Sequence, residues 1–161
     1  MISEYLELLK NSPFFFIKVL LCIIIGCIES YYDIVKMEIH SYFLIALTVL
    51  IVLFNIFIDI KIFYVTFFGV LAVIIIYLII YTLSSGGIGL GDMVFCSFLT
   101  SIFGIAAGIG VLFISNWLAA MTLLPFILKK KVVGKTKIPM IPFQYAVSIG
   151  IIVLMYSTKS I

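Results

Sequence analysis

The 161-residue chain has no arginine and little charge of either sign: 11% of it is charged, against 65% hydrophobic. That shortage excludes a soluble domain of this length, which needs a far more polar surface. Every basic residue is a lysine, which argues against a nucleic-acid surface. The net charge of +3 is small, so its distribution matters more than its sum. The three cysteines, Cys22, Cys27 and Cys96, form no Cys-x-x-Cys pair and lie in apolar surroundings. Neither a disulfide framework nor a zinc site is expected of them. The single histidine, His40, has no second candidate ligand and reads as a loop residue. A removable signal peptide is disfavoured, because Glu4 and Glu7 stand against Lys10 and no small-residue cleavage site is clear before Asp33. Ile24-Ile25-Gly26-Cys27 matches a lipoprotein cleavage box only faintly. No internal repeat or low-complexity linker interrupts the chain.

What is present is a succession of long apolar runs, with a mean hydropathy of +1.40. Runs of this length are helical spans, not the alternating segments of about ten residues that build outer-membrane barrels. At about 20 residues per span, the chain accommodates six or seven helices in one transmembrane domain over residues 1–161 and nothing else. The expected fold is an all-α polytopic bundle of six helices: 13–31, 42–58, 62–83, 92–104, 105–128 and 142–156. Asn11 or Ser12 is a candidate cap ahead of Pro13. Gly104, Gly108 and Gly110 mark either a tight turn or small-residue packing; the turn is favoured. Tyr42, Tyr145, Tyr156 and Trp117 are candidate interfacial anchors, and Asn116 a candidate interhelical hydrogen bonder.

Six spans place the loops 33–41, 84–91 and 129–141 on one face. Those loops carry Lys36, Lys129, Lys130, Lys131, Lys135 and Lys137, whereas Lys10, Lys61 and Lys159 fall on the other, with Lys18 just inside helix 1. Positive charge favours the cytoplasm, so the first set is assigned there and both termini to the outside. The cluster 129–137 acts as a topology anchor, with anionic lipid headgroups as the alternative ligand.

Asp92 closes the string Gly86-Gly87-Ile88-Gly89-Leu90-Gly91-Asp92 between two apolar stretches. An ionisable side chain at the edge of a membrane segment is costly and marks function, and the glycines let the backbone bend and approach another chain closely. The topology puts Asp33 on the same face. Two carboxylates at one depth are what an aspartyl hydrolase needs: one ionised to activate water, one protonated to polarise the scissile carbonyl. Close like charges push their pKa values apart, and such a pair titrates as a unit. Asp59 is the rival partner, but it falls on the opposite face, about 30 Å of hydrocarbon away. Glu29, four residues before Asp33, is placed on the same helix face and is a candidate to line the substrate path or perturb Asp33. Glu38 reads as a solvated loop charge beside Lys36, with a basic segment of a substrate as its alternative partner. No metal or cofactor is called for, because two carboxylates supply both acid and base.

These residues carry a resemblance to the type IV prepilin peptidases, intramembrane aspartyl proteases with a GxGD motif. Gly89-Leu90-Gly91-Asp92 matches that motif. Asp33-Ile34-Val35-Lys36-Met37-Glu38-Ile39 resembles the segment around the family's first catalytic aspartate, and Ile138-Pro139-Met140-Ile141-Pro142-Phe143 resembles the Ile-Pro-Phe start of its last helix. The chain departs from the family at Val94, where a lysine is usual, and at His40 and Ser41, where proline and asparagine are usual. It has no room for the cysteine-bearing insert of the bifunctional members. The resemblance therefore implies a peptidase without methyltransferase activity, embedded in a bacterial cytoplasmic membrane with its site facing the cytoplasm. Asp33 and Asp92 would be catalytic, Gly89 and Gly91 would support them, and prepilin-like proteins would be the substrates. Three other readings stay open: a presenilin-like protease, which the short chain and the missing Pro-Ala-Leu disfavour; a small transporter or scaffold with proton-coupled acids; and a catalytically silent homologue.

Overall fold

The computed structural model describes residues 14–84, 89–128 and 138–157. Six helices and no strand occur among them: α1 (Phe15–Lys36), α2 (Ser41–Ile58), α3 (Ile60–Leu83), α4 (Leu90–Phe103), α5 (Ile105–Leu128) and α6 (Ile141–Ser157). Four helices, α1, α2, α3 and α5, are long and apolar enough to cross a membrane. The protein is an all-α polytopic membrane bundle, and side chains such as Phe16, Leu50, Phe57 and Trp117 face outward from it. The expected N-cap at Asn11 or Ser12, the glycines Gly86 and Gly87, and the lysines Lys10, Lys129, Lys130, Lys131, Lys135, Lys137 and Lys159 lie outside the described residues.

The helix order matches the hydropathy pattern, but α1 ends later than expected. It continues past Tyr31 to Lys36 because no glycine or proline interrupts it. It stops where Met37 turns left-handed at φ 54° and its N–H bonds the Asp33 carbonyl. Asp33 therefore sits in the last helical turn, where α1 fixes its direction.

The shortest helix, α4, is the centre of the molecule. It packs against all five other helices, and every residue from Val94 to Phe103 is buried. At 14 residues its length is roughly 21 Å, less than the ~30 Å hydrocarbon core. A helix walled in by protein does not have to match the lipid. Its Ser97, Thr100 and Ser101 hydroxyls donate to carbonyls of α4 itself, at 2.8, 2.7 and 2.7 Å. This satisfies polar groups that lipid-like surroundings would otherwise penalise.

The two readings of the glycine cluster divide between its members. Gly104 is the turn: its φ is 84°, and its N–H closes α4 on the Thr100 carbonyl at 2.8 Å. Gly108 is a packing position, since a Cβ there would lie 2.0 Å from Thr100 Oγ1. Gly26 similarly brings α1 against the Tyr145 ring of α6, and the Tyr145 hydroxyl donates to the Ile23 carbonyl at 3.2 Å. Tyr145 is thus an interhelical packing residue, while Tyr42 and Trp117 are exposed. Asn116 bonds within its own helix, to the Leu112 carbonyl at 2.6 Å.

Lys18 also differs from its expected role. It is only 4% exposed and donates to Asn55 Oδ1. Asn55 in turn donates to Thr66 Oγ1 at 3.0 Å. This polar cluster joins the first turn of α1 to the α2–α3 end, so Lys18 contributes to packing instead of marking a membrane face. Asn55→Leu should leave the lysine buried without its acceptor and lower stability by about 2–4 kcal/mol. Thermal unfolding in detergent checks this, with Lys18→Met/Asn55→Leu expected to recover most of the loss.

Candidate functional site

The last turn of α1, the turn between α1 and α2, the first turn of α4 and the first turn of α6 meet at one end of the bundle. Asp33 is buried there at 8% exposure. Its Oδ2 accepts the Ile141 N–H at 2.9 Å, and the Met140 N–H also donates to the carboxylate. A side chain of α1 thereby caps α6. The first N–H groups of a helix have no partner in the helix, and its N-terminus favours negative charge. Pro142 fits beside this cap, because proline is tolerated in a first helical turn, where the missing N–H costs no ladder bond.

Asp92 is the third residue of α4 and follows the N-cap Gly89. The Gly89 N–H donates to its carboxylate, the backward bond of a capping box. A Cβ on Gly89 would stand 2.9 Å from Asp92 Oδ2, so the glycine leaves the space the carboxylate occupies. Gly91 makes a second close approach: a Cβ there would lie 2.7 Å from Cδ1 of Ile39. Ile39 belongs to the segment that follows Asp33, so its side chain ties that segment to the glycine-rich turn. Asp33 and Asp92 lie within electrostatic reach of each other.

Asp59 stands apart. It caps α3 through Oδ1, which accepts the Lys61 N–H at 2.7 Å. It follows Asn55, which bonds Lys18 in the first turn of α1. Asp33 lies fifteen positions after Lys18 on α1 (33 − 18), roughly 22 Å of helix. The bundle thus puts Asp33 and Asp92 at one end, within electrostatic reach, and Asp59 at the other.

Glu29 is 1% exposed and bonds His40, at 3.1 Å to the backbone N–H and 3.0 Å to Nδ1. It is enclosed in the protein, with its carboxylate turned to His40. It also lies within electrostatic reach of Asp33. Glu38 is exposed in the turn between α1 and α2. Val94, where the resembled family has a lysine, packs into the core at 9% exposure. An ammonium group at that position would be poorly solvated.

Two residues beneath the carboxylates were missed in the sequence. Gln144, fully buried in the first turns of α6, donates from Nε2 to the Tyr77 hydroxyl at 3.0 Å. Tyr77 in turn lies beside the Cys96 thiol and within electrostatic reach of Asp92. Cys96 Sγ reaches the Gly108 carbonyl at 3.4 Å. This chain of contacts ties α6, α3, α4 and α5 together under the site. A lone glutamine in an apolar helix was a legible signal, whereas Tyr77 was one of nine tyrosines and carried none. Among the described residues, no group of three His, Cys, Asp or Glu side chains could hold a metal ion.

Gly91→Ala tests the close approach directly. The methyl group would press on the flexible tip of Ile39, so the expected cost is about 1 kcal/mol with displacement of the Asp92 turn. Ile39→Val, which removes Cδ1, should restore stability in the Gly91→Ala background, as read by thermal unfolding.

The fold and site define a class, a helical membrane bundle with a paired, backbone-anchored carboxylate site at one end. No protein-family model matches the chain, and neither does any curated protein or solved structure.

Proposed function

We propose that this protein is an intramembrane aspartic endopeptidase of the prepilin-peptidase type, in a short form without methyltransferase activity. The observation that carries the proposal is the meeting of Asp33 and Asp92. They are 59 positions apart in sequence (92 − 33), each is held by backbone N–H donors, and the charge of Asp33 reaches Asp92. Purely structural caps have no need of one another, and two carboxylates in proximity repel unless a proton is shared.

In the reaction, the ionised carboxylate takes a proton from water as the water oxygen attacks the scissile carbonyl carbon. The protonated partner hydrogen-bonds the carbonyl oxygen as negative charge develops there. Collapse of the tetrahedral intermediate breaks the C–N bond, and the leaving amine takes a proton from the dyad. The Asp33–Ile141 and Asp92–Gly89 bonds hold the two carboxylates before substrate arrives, so little reorganisation accompanies the chemistry. The substrate is a prepilin-like membrane protein, cut after a glycine at the junction between a short basic leader and an apolar helix. The lysine distribution along the sequence supports a site at the cytoplasmic face, and the family resemblance supports a bacterial plasma membrane.

Co-expression with a prepilin-like protein tests the proposal. The expected result is a shift of the substrate to the mobility of the form without its leader. An unchanged substrate, together with acid-coupled uptake by the purified protein in proteoliposomes, would replace the peptidase with a transporter.

A further inference from the structure

The turn between α1 and α2 carries Ile39 onto Gly91, so its conformation sets how the Asp33 segment meets the Asp92 turn. His40 is the centre of that turn. Its φ and ψ are −82° and 64°, and the Ser41 N–H bonds the Ile39 carbonyl at 3.0 Å, an inverse γ-turn. A three-residue turn with one internal bond has little stability of its own and needs support from outside.

Glu29 supplies that support from the body of α1. Its two carboxylate oxygens bond the His40 backbone N–H and the ring Nδ1 at 3.1 and 3.0 Å. The His40 ring also meets the Tyr32 ring edge-on, with centroids 4.6 Å apart, and Lys36 Nζ lies 5.0 Å from the Tyr32 centroid. Glu29 is 2% exposed at its side chain and His40 50%. The acid is therefore fixed inside, and the turn is latched to it from outside.

We infer that Glu29 is a positioning residue that latches the His40 turn, seating Ile39 against Gly91 and thereby setting the spacing of Asp33 and Asp92. The inference rests on the peptidase reading for its activity readout but not for its structural one. Glu29 touches neither reacting carboxylate by hydrogen bond; it acts through His40 and Ile39.

The competing role for Glu29 is electrostatic, since its charge reaches Asp33. Neutral glutamine separates the two. Glu29→Gln keeps an acceptor for the His40 N–H and a donor for a neutral ring nitrogen, while Glu29→Ala removes both bonds. The latch predicts near wild-type processing for Glu29→Gln. For Glu29→Ala it predicts a fall of about tenfold in kcat with little change in KM, because misplacement of the reacting groups costs rate before binding.

Hydrogen exchange in detergent supplies the readout that needs no substrate. The amides of 39–44 should exchange faster in Glu29→Ala and at the wild-type rate in Glu29→Gln. His40→Ala keeps its backbone N–H bond and should fall between them. Equal damage from Glu29→Gln and Glu29→Ala, or unchanged exchange in Glu29→Ala, would overturn the latch. If the wild-type protein processes nothing while exchange in Glu29→Ala rises as expected, the peptidase reading fails and the latch stands.

Discussion

For the proposed peptidase activity, Asp33→Asn and Asp92→Asn should each reduce processing of a prepilin-like substrate by about 10³-fold, within the range that general acid–base groups contribute. Asparagine matches aspartate in shape but cannot exchange the proton that the reaction moves. The substitution also preserves the anchoring geometry. In Asp33→Asn an amide oxygen can still accept the Ile141 N–H that now reaches Oδ2 at 2.9 Å, so α6 keeps its cap. Asp33→Ala, by contrast, loses the cap and should also destabilise the protein by about 1 kcal/mol. Asp59→Asn is the matched control, because Asp59 caps α3 at the far end of the bundle; its processing should equal the wild type. The measurement is the fraction of substrate converted in membranes, normalised to folded enzyme. Wild-type conversion by either Asp33→Asn or Asp92→Asn would exclude the dyad.

A large effect on folding is expected from Gly108→Ala. Alanine in place of a helical glycine ordinarily gains up to about 1 kcal/mol. Here the new Cβ would lie 2.0 Å from Thr100 Oγ1, 2.9 Å from its Cβ and 3.0 Å from its Cγ2. Thr100 is fully buried, and its hydroxyl is held by the Cys96 carbonyl at 2.7 Å. It has no free direction in which to move, so α4 and α5 must separate. Overpacking on that scale costs about 3 kcal/mol, which outweighs the gain in helix propensity. Thr100→Ala should relieve part of the overlap in the double variant. Gly110→Ala is the control on the same helix, since no atom lies within 4 Å of its added Cβ; it should be neutral or slightly stabilising. Thermal unfolding of the four proteins in one detergent decides the order.

Much of the architecture was legible in the sequence because the hydrocarbon core imposes it. Backbone polar groups cannot be left exposed to lipid, so long apolar runs must be helices. The six helices follow in the order those runs set. The boundary errors have local causes. Asp33 was placed after α1 because polar residues begin near it, yet helix propensity carries the ladder on to Lys36. Lys18 was read as a face marker because charge usually stays in water, but Asn55 gives it a buried partner. The glycine cluster resolved only in three dimensions, since φ at Gly104 and the approach of Thr100 to Gly108 are both consequences of how α5 folds back on α4.

By itself, the sequence determined that this is a helical membrane protein. It also singled out Asp33 and Asp92 as the carboxylates to examine and set Asp59 aside, since an acid in an apolar chain is expensive wherever it occurs. The tertiary structure decided how those acids are held. The N–H groups of Ile141 and Met140 reach Asp33 across 107 or more positions (140 − 33), Ile39 closes on Gly91, and Glu29 turns inward to His40. Each of these is a contact between segments distant in space until the helices pack. Apolar periodicity has no term for such contacts, because it records which side of a helix avoids water and not which neighbour that side meets.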